Sequence, residues 1–402
     1  MSEPRTPLAG KFLFVAGATL TAQRNAPAQR LPYAVAPYLE HLDLVGFANF
    51  YGGQPASKVH KLSEGARNII FDRLHVTCER NIRRIVARQL AMPRLMDIRI
   101  QHKWIHWVLN GILEKSYDVG IIGHAENALL ARKLKESGRV RHLIYIDWDY
   151  FPGYVEPQFS KLVTRYEEEL VKIADGVASV SRPLQELRIR QGAKATNVIP
   201  NGVEFDKFHQ AYEHRRPHPP TLIYCGSVDA RWGIDLGVRA LPALRGYLPD
   251  LRMIVVGNGP AETELRTLAE SLNVLEMIRF VGAVPYEQLP SLMAEADIGL
   301  STSRLDEFRK YASPMKIVEY MAAGLPVVAS GGGEAEQMID ESRGGVHIEF
   351  TSSALVNAVL PLLQDPAKLA SMRTAALNYA QSRTWDHMGR ELAKFISEIM
   401  RK

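Results

Sequence analysis

The chain has 402 residues, 46% hydrophobic and 23% charged, which excludes disordered, collagenous and low-complexity proteins and leaves room for two cores. Its two cysteines, Cys78 and Cys225, lie far apart without His or Cys neighbours at ligand spacing, so a disulfide scaffold and a structural zinc site are excluded and a reducing compartment is expected. With 49 basic against 44 acidic residues the net charge is +5, an excess whose distribution matters more than its size.

Residues 11–17 (KFLFVAG) read as a buried strand ending in Gly17, followed by a polar loop to Arg30 and a helical pattern from Leu31. This apolar run is too short and wrongly flanked for a signal peptide. No stretch approaches the roughly twenty apolar residues of a membrane span, so a cytoplasmic protein is expected. Residues 119–123, 143–146, 176–181 and 197–200 read as further strands, and 127–138 as a helix capped by Gly138. Such alternation implies a parallel sheet covered on both faces.

Residues 204–220 are expected to form an interdomain linker, because 209–220 (HQAYEHRRPHPP) offer almost nothing to bury. Beyond them the strand pattern restarts at 221–226, 251–257, 278–282, 298–300 and 326–330. The expected organisation is α/β. A doubly wound domain spans 1–203 and a second spans 221–383, facing each other across a cleft, and a helix over 384–402 crosses back to the first. Ligands bind such folds beyond the carboxyl ends of the strands.

Gly257 and Gly259 make a glycine turn between strand and helix, but not a G-x-G-x-x-G. The structural reading is preferred, with a phosphate-binding role as the alternative. The segment 311–330 (YASPMKIVEYMAAGLPVVAS) is more specific. Ser313 and Pro314 predict a helix start there, running to Gly324. Its free first-turn amides near Met315, its dipole and Lys316 suit a diphosphate. Glu319, three residues on and on the same face, suits both hydroxyls of a ribose. The bland reading is a solvated Lys–Glu pair.

P-M-K-I-V-E-Y-M-A-A-G-L-P-V-V-A-S resembles the nucleotide-sugar motif of the GT-B glycosyltransferases of the group 1 superfamily. Segments 198–203, 226–233, 256–260, 280–286, 296–298 and 331–336, and Thr384-Trp385, resemble it in order and spacing, so the likeness covers residues 197–402. The resemblance implies a GT-B fold and a donor diphosphate on Lys316 and the amides near Met315, with Glu319 on the ribose. It places the base at Gly282 to Val284 with Tyr286 nearby, has Gly226 and Ser227 approach the phosphates, and puts Gly17 where donor and acceptor are approached. It implies no metal and no cofactor, because dipole and Lys charge stabilise the leaving diphosphate. Two departures stand out. Tyr311 occupies the place of the first of two glutamates separated by seven residues. Ser227 and Trp232 occupy the places of an Arg and a Lys, with Arg231 adjacent as a substitute.

In the first half, Asp147 and Asp149 (IDWD) follow a predicted strand. The stretch resembles L-V-Y-x-x-S-D of the inverting glucuronosyltransferase of xanthan assembly, whose base aspartate aligns with Asp149. Asp149 is therefore a candidate general base, or else caps a turn, and Asp147 is a weaker candidate. His124 follows another strand end. Residues 80–103 hold seven Arg or Lys against one acid and lead into Trp104 and Trp107. A basic amphipathic helix from Arg80 to Trp107 would lie on an anionic membrane, while a solvated basic face is the plain alternative. No nucleic-acid motif is present.

The expected function is transfer of a sugar from a UDP- or GDP-linked donor to an acceptor hydroxyl. The acceptor expected is a lipid-linked glycan of bacterial surface polysaccharide synthesis. The alternatives are a sugar-nucleotide epimerase of the same fold and a degenerate binding protein.

Overall fold

The computed structural model describes residues 6–16, 26–48, 74–88, 103, 106–107, 109–153 and 157–402. The chain divides into two units: Met1–Val180, Leu184–Ile199 and Met388–Lys402 in one, Ser181–Pro183 and Pro200–His387 in the other.

The first unit is built on β1 (Leu8–Val15), β2 (Leu39–Ala48), β3 (Leu74–Glu79), β4 (Ile82–Arg88), β5 (Tyr117–Gly123), β6 (Val140–Asp147), β7 (Gly176–Ser179) and β8 (Thr196–Val198). They pair in the order β3-β4-β2-β1-β5-β6-β7-β8. Every neighbouring pair is parallel except β3 with β4. Strands covered on both faces need continuous apolar runs, and Phe12 to Val15 are fully buried. The order reverses between β1 and β5, which makes the carboxyl ends of β1, β5 and β6 the expected ligand edge. The C-terminal helix Trp385–Met400 enters this unit from Met388 and lays Phe395 and Ile399 against Gly176.

The second unit contains β9 (Thr221–Cys225), β10 (Arg252–Val256), β11 (Ile278–Gly282), β12 (Ile298–Ser301), β13 (Val327–Ala329) and β14 (Gly345–His347). All are parallel, in the order β11-β10-β9-β12-β13-β14. The order reverses between β9 and β12, so the loops after these strands flank the switch point. One face of the sheet carries a core that includes Leu222, Tyr224 and Leu241. The other carries Ile223, Ile254, Ile317 and Met321.

Two expectations are corrected here. Residues 204–220 are not a linker: Phe205–Glu213 is a helix with Phe208 and Ala211 buried, and Phe208 joins the core of the second unit. The charged and proline-rich part is confined to the stretch between that helix and β9.

The basic helix from Arg80 is a β-hairpin instead. β3 and β4 turn at Arg80 and Asn81, with Arg80 at φ 52°. Ile82, Ile85 and Val86 fit helical spacing, but Ile85 and Ala87 are both buried on one strand face. Arg83 is committed to the buried Asp43, its Nε donating to Asp43 Oδ1 at 2.7 Å, and this hydrogen bond raises its already high pKa. Tyr117 donates to the other oxygen of the same carboxylate. Residues 89–102 and Trp104 lie outside the described residues. Among the described residues no helix is long and apolar enough to cross a membrane.

Phe208→Ala should destabilise the second unit by about 3–5 kcal/mol, the cost of emptying a closed core site. Urea unfolding measures it, and a loss below about 1 kcal/mol would return this stretch to the status of a linker.

Candidate functional site

In the second unit the site begins with the helix Met315–Ala322. Ile317, Val318, Tyr320 and Met321 are fully buried, which fixes its roll. Tyr320 pins it to the sheet: its hydroxyl accepts from the Cys225 N–H at 2.7 Å, at the end of β9. The approach is held as firmly. Asn201 Nδ2 donates to the Ser313 carbonyl at 2.9 Å, and Ser181 Oγ donates to the Tyr311 carbonyl at 2.7 Å. Pro314, rather than Ser313, is the N-cap, and no side chain caps the first turn. The Ile317 N–H turns back to the Pro314 carbonyl at 3.2 Å, and the N–H groups of Met315 and Lys316 before it keep no intrahelical acceptor.

Lys316 lies in that first turn. Its Nζ sits 4.2 Å from the Tyr224 ring centroid and 5.2 Å from that of Trp232, and it makes no ion pair with the described residues. Burial pushes its pKa down to about 8, against the opposing pull of Glu319 and with help from Arg309. An ammonium half out of water and without a carboxylate partner awaits an anion. Glu319, one turn deeper, is 7% exposed and accepts from the Tyr286 hydroxyl at 2.8 Å. Tyr286 is itself fixed edge-on against Phe208, 5.3 Å between centroids. The plain reading of a solvated Lys–Glu pair fails, because neither side chain faces open water and no ion pair joins them.

Three glycines border this helix at the strand ends. Gly226, Gly257 and Gly282 follow or end β9, β10 and β11, linked by Gly226 N–H to the Val256 carbonyl and Gly257 N–H to the Gly282 carbonyl. At Gly226, φ is 145° and a Cβ would come within 3.0 Å of Lys316 Nζ. At Gly257 a Cβ would sit 1.8 Å from the Gly226 carbonyl oxygen, so this glycine serves backbone packing, as its plain reading holds. Val284 is partly buried against the core beside Tyr286. The structure thus gathers Gly226, Met315, Lys316, Glu319 and Tyr286, with Gly257, Gly282 and Val284 at the adjoining strand ends.

Ser227 is exposed, and its carbonyl accepts from the Tyr224 hydroxyl at 2.7 Å. Arg231 does not substitute for the departed Lys: its guanidinium is exposed and bound to Asp229 at 3.1 and 3.3 Å. The cation that does approach Lys316 was missed from the sequence. Arg309 is 6% exposed, stacks 4.4 Å over the Trp232 ring, and leaves its buried Nε without an acceptor among the described residues. Burial holds its pKa below the ordinary value, with Asp306 as its carboxylate partner. The one signal in the sequence was Trp232 itself, an aromatic face where a cation was expected. Gly17 lies outside the described residues.

In the first unit, Asp147 and Asp149 have different surroundings. Asp147 is fully buried and its two oxygens accept from Arg188 Nε at 2.6 Å and Nη2 at 3.0 Å. Tyr145 donates to it as well, at 3.0 Å. The candidate role for Asp147 is corrected on that ground: its lone pairs are taken by a fully buried guanidinium. Asp149, two residues beyond the end of β6, is half-buried, and burial followed by repulsion from Asp147 pushes its carboxyl up to about 7. At the end of the neighbouring β5, His124 takes φ 66°, a strained backbone for a non-glycine residue. Its ring lies 4.6 Å from Phe151, and burial pushes its pKa down to about 4, which keeps it neutral.

Residues 206–379 match the family described as Glycosyl transferases group 1. The second unit carries a group 1 glycosyltransferase domain. The GDP-mannose-dependent alpha-(1-6)-phosphatidylinositol monomannoside mannosyltransferase of Mycolicibacterium smegmatis is 31% identical over 215 residues, 50% of this chain and 56% of that protein. Glycogen synthase of Mycobacterium tuberculosis is 30% identical over 229 residues, 56% of this chain and 54% of that one. The match spans about half the length of these curated relatives. Among solved structures, HepE from Anabaena in complex with UDP has a TM-score of 0.71 at 19% identity, covering 97% of this chain and all of that one. Sucrose-phosphate synthase from Thermosynechococcus elongatus has 0.70 at 18%, covering 98% and 100%. At these identities the likeness shows the fold, which is GT-B.

The depressed Lys316 gives a proton-linked prediction for the group 1 domain. Near pH 8.5 the free protein holds this amine mostly neutral, whereas a bound diphosphate raises its pKa again. Binding of a nucleoside diphosphate sugar, whose diester phosphates do not titrate in this range, should therefore take up more than about half a proton at pH 8.5 and almost none at pH 6.5. Calorimetry in buffers of different ionisation enthalpy reads this directly, and equal uptake at both pH values would contradict it.

Proposed function

We propose that the protein transfers a sugar from a nucleoside diphosphate sugar to an acceptor hydroxyl. One observation carries the reading: an ammonium without a counter-ion among the described residues, at the uncapped start of a helix, one turn from a buried carboxylate. In this reading Lys316, the first-turn amides and Arg309 hold the diphosphate, and Glu319, oriented by Tyr286, holds the ribose. The same groups stabilise the charge that grows on the diphosphate as the glycosidic bond breaks, without a metal or a cofactor. The base is uracil or guanine, placed along Gly282 to Val284.

Asp149 takes the acceptor proton in this account, as the general base of an inverting transfer. Its raised pKa near 7 suits that task, because a base poised near the working pH is both ionised and basic enough to accept. The acceptor is a lipid-linked glycan of a bacterial surface polysaccharide, in line with the phosphatidylinositol monomannoside in the name of one relative. A cytoplasmic setting agrees with two unpaired cysteines. Tyr311, in place of the first glutamate, favours a second reading: a binding protein that keeps the donor site and has lost turnover. Absence of sugar transfer with intact nucleotide affinity would establish that reading. Release of an epimerised sugar from donor alone would establish the epimerase.

Arg309→Met should weaken nucleoside diphosphate binding roughly tenfold or more, the loss of a charge-assisted contact. Unchanged affinity by calorimetry would remove Arg309 from the site. Asp149→Asn should cut turnover by roughly 10²-fold while donor affinity stays near that of the parent. In the parent, kcat/KM should rise as pH passes through about 7, where the carboxylate forms. The sign for stability is opposite: because the folded pKa is raised, ionising Asp149 opposes folding, and its contribution is lost as pH rises from about 4 through 7. A product of retained anomeric configuration, read by NMR, would sink the base assignment.

A further inference from the structure

The charged stretch before β9 opens a different site in the second unit, at the edge of the sheet where the strands begin. Arg215, Arg216 and His218 come from that stretch, Asp297 from the residue before β12, and Arg373 from the helix Pro366–Gln381. With Pro217 they line an open cavity of about 320 Å³. Lys316 and Gly226 lie beyond the opposite, carboxyl ends of β12 and β9, so this is not an extension of the donor site.

The balance of charge is uneven. Three guanidiniums meet one carboxylate. Asp297 Oδ1 accepts from Arg215 Nη2 at 2.5 Å and from Arg373 Nη2 at 2.9 Å. Asp297 Oδ2 accepts from the Thr221 N–H at 2.9 Å and faces His218 Nδ1 at 3.7 Å. That carboxylate is fully used. Arg373 Nε remains buried with no acceptor among the described residues, and Arg216 is exposed on the rim without an ion pair to them. Arg215 is held below its ordinary pKa, first by burial and then by repulsion from Arg373. A purely structural ion pair would need only one of these arginines, whereas the surplus of about two positive charges matches a dianion.

We propose that this cavity binds a phosphate dianion, either free or as a monoester. Guanidinium forks suit its oxygens in pairs, and the volume admits a phosphate with a small organic group. Arg216 and the Arg373 Nε would supply the contacts that Asp297 leaves open, and the dianion would add to the one carboxylate that Arg215 and Arg373 share.

The test uses the full chain carrying Lys316→Ala, which silences the donor site, with and without Arg216→Glu. Arg216 is exposed, so both proteins should melt at the same temperature. Inorganic phosphate titrated by calorimetry at fixed ionic strength should bind the first protein, and Arg216→Glu should weaken it at least roughly tenfold. Vesicles of phosphatidylcholine with phosphatidic acid form the second arm. Co-sedimentation abolished by Arg216→Glu assigns the phosphate to a lipid headgroup, and phosphate binding without vesicle binding assigns it to a free ligand. Binding of neither probe, or phosphate affinities that agree within about twofold between the two proteins, overturns the site.

Discussion

The ammonium of Lys316, held over Tyr224 at the start of a helix and given no carboxylate, is the feature from which the rest of the second unit's site follows. Partial desolvation lowers its pKa to about 8, so the charged form is costly until an anion arrives. Arg309 sits over the neighbouring Trp232 and adds to the same unbalanced charge. A pair of cations that repel each other and are only partly neutralised is unfavourable for folding and favourable for binding a diphosphate.

The surrounding architecture keeps that arrangement from relaxing. A lysine side chain would swing into water if its helix could roll, but four fully buried residues and the Tyr320–Cys225 hydrogen bond fix the helix on the sheet. The loop leading into it is held by Asn201 and Ser181 through two backbone carbonyls. Gly226 leaves the space that Lys316 Nζ occupies, and Gly257 allows the next loop to close upon Gly226. Polar contacts and close backbone packing thus act together, and the electrostatic strain sits where a ligand can relieve it.

Much of this was legible in the sequence because it is local. Strands buried on both faces leave apolar runs, and all six such runs read in 197–330 became strands of one sheet or the other. Lys316 and Glu319 share a helix, so their spacing alone puts them on one face. The misread parts depend on partners far away in the chain. Residues 209–220 look too polar to pack, yet Ala211 and the preceding Phe208 reach the core. The hairpin at Arg80 and Asn81 lacks the usual glycine, and its apolar spacing imitates a helix. Asp147 resembles a catalytic acid until Arg188, forty-one residues on, closes over it. Arg309 belongs to no periodic pattern, and only the placement of Trp232 gives it meaning.

The central claim is that a nucleoside diphosphate lies on the start of the helix Met315–Ala322. A crystal structure with bound UDP or GDP tests it most directly. The account predicts phosphate oxygens within hydrogen-bond distance of Lys316 Nζ and of the first-turn amides, with the ribose hydroxyls on Glu319. A nucleotide bound elsewhere, with Lys316 still lying over the Tyr224 ring and unpaired, would contradict it.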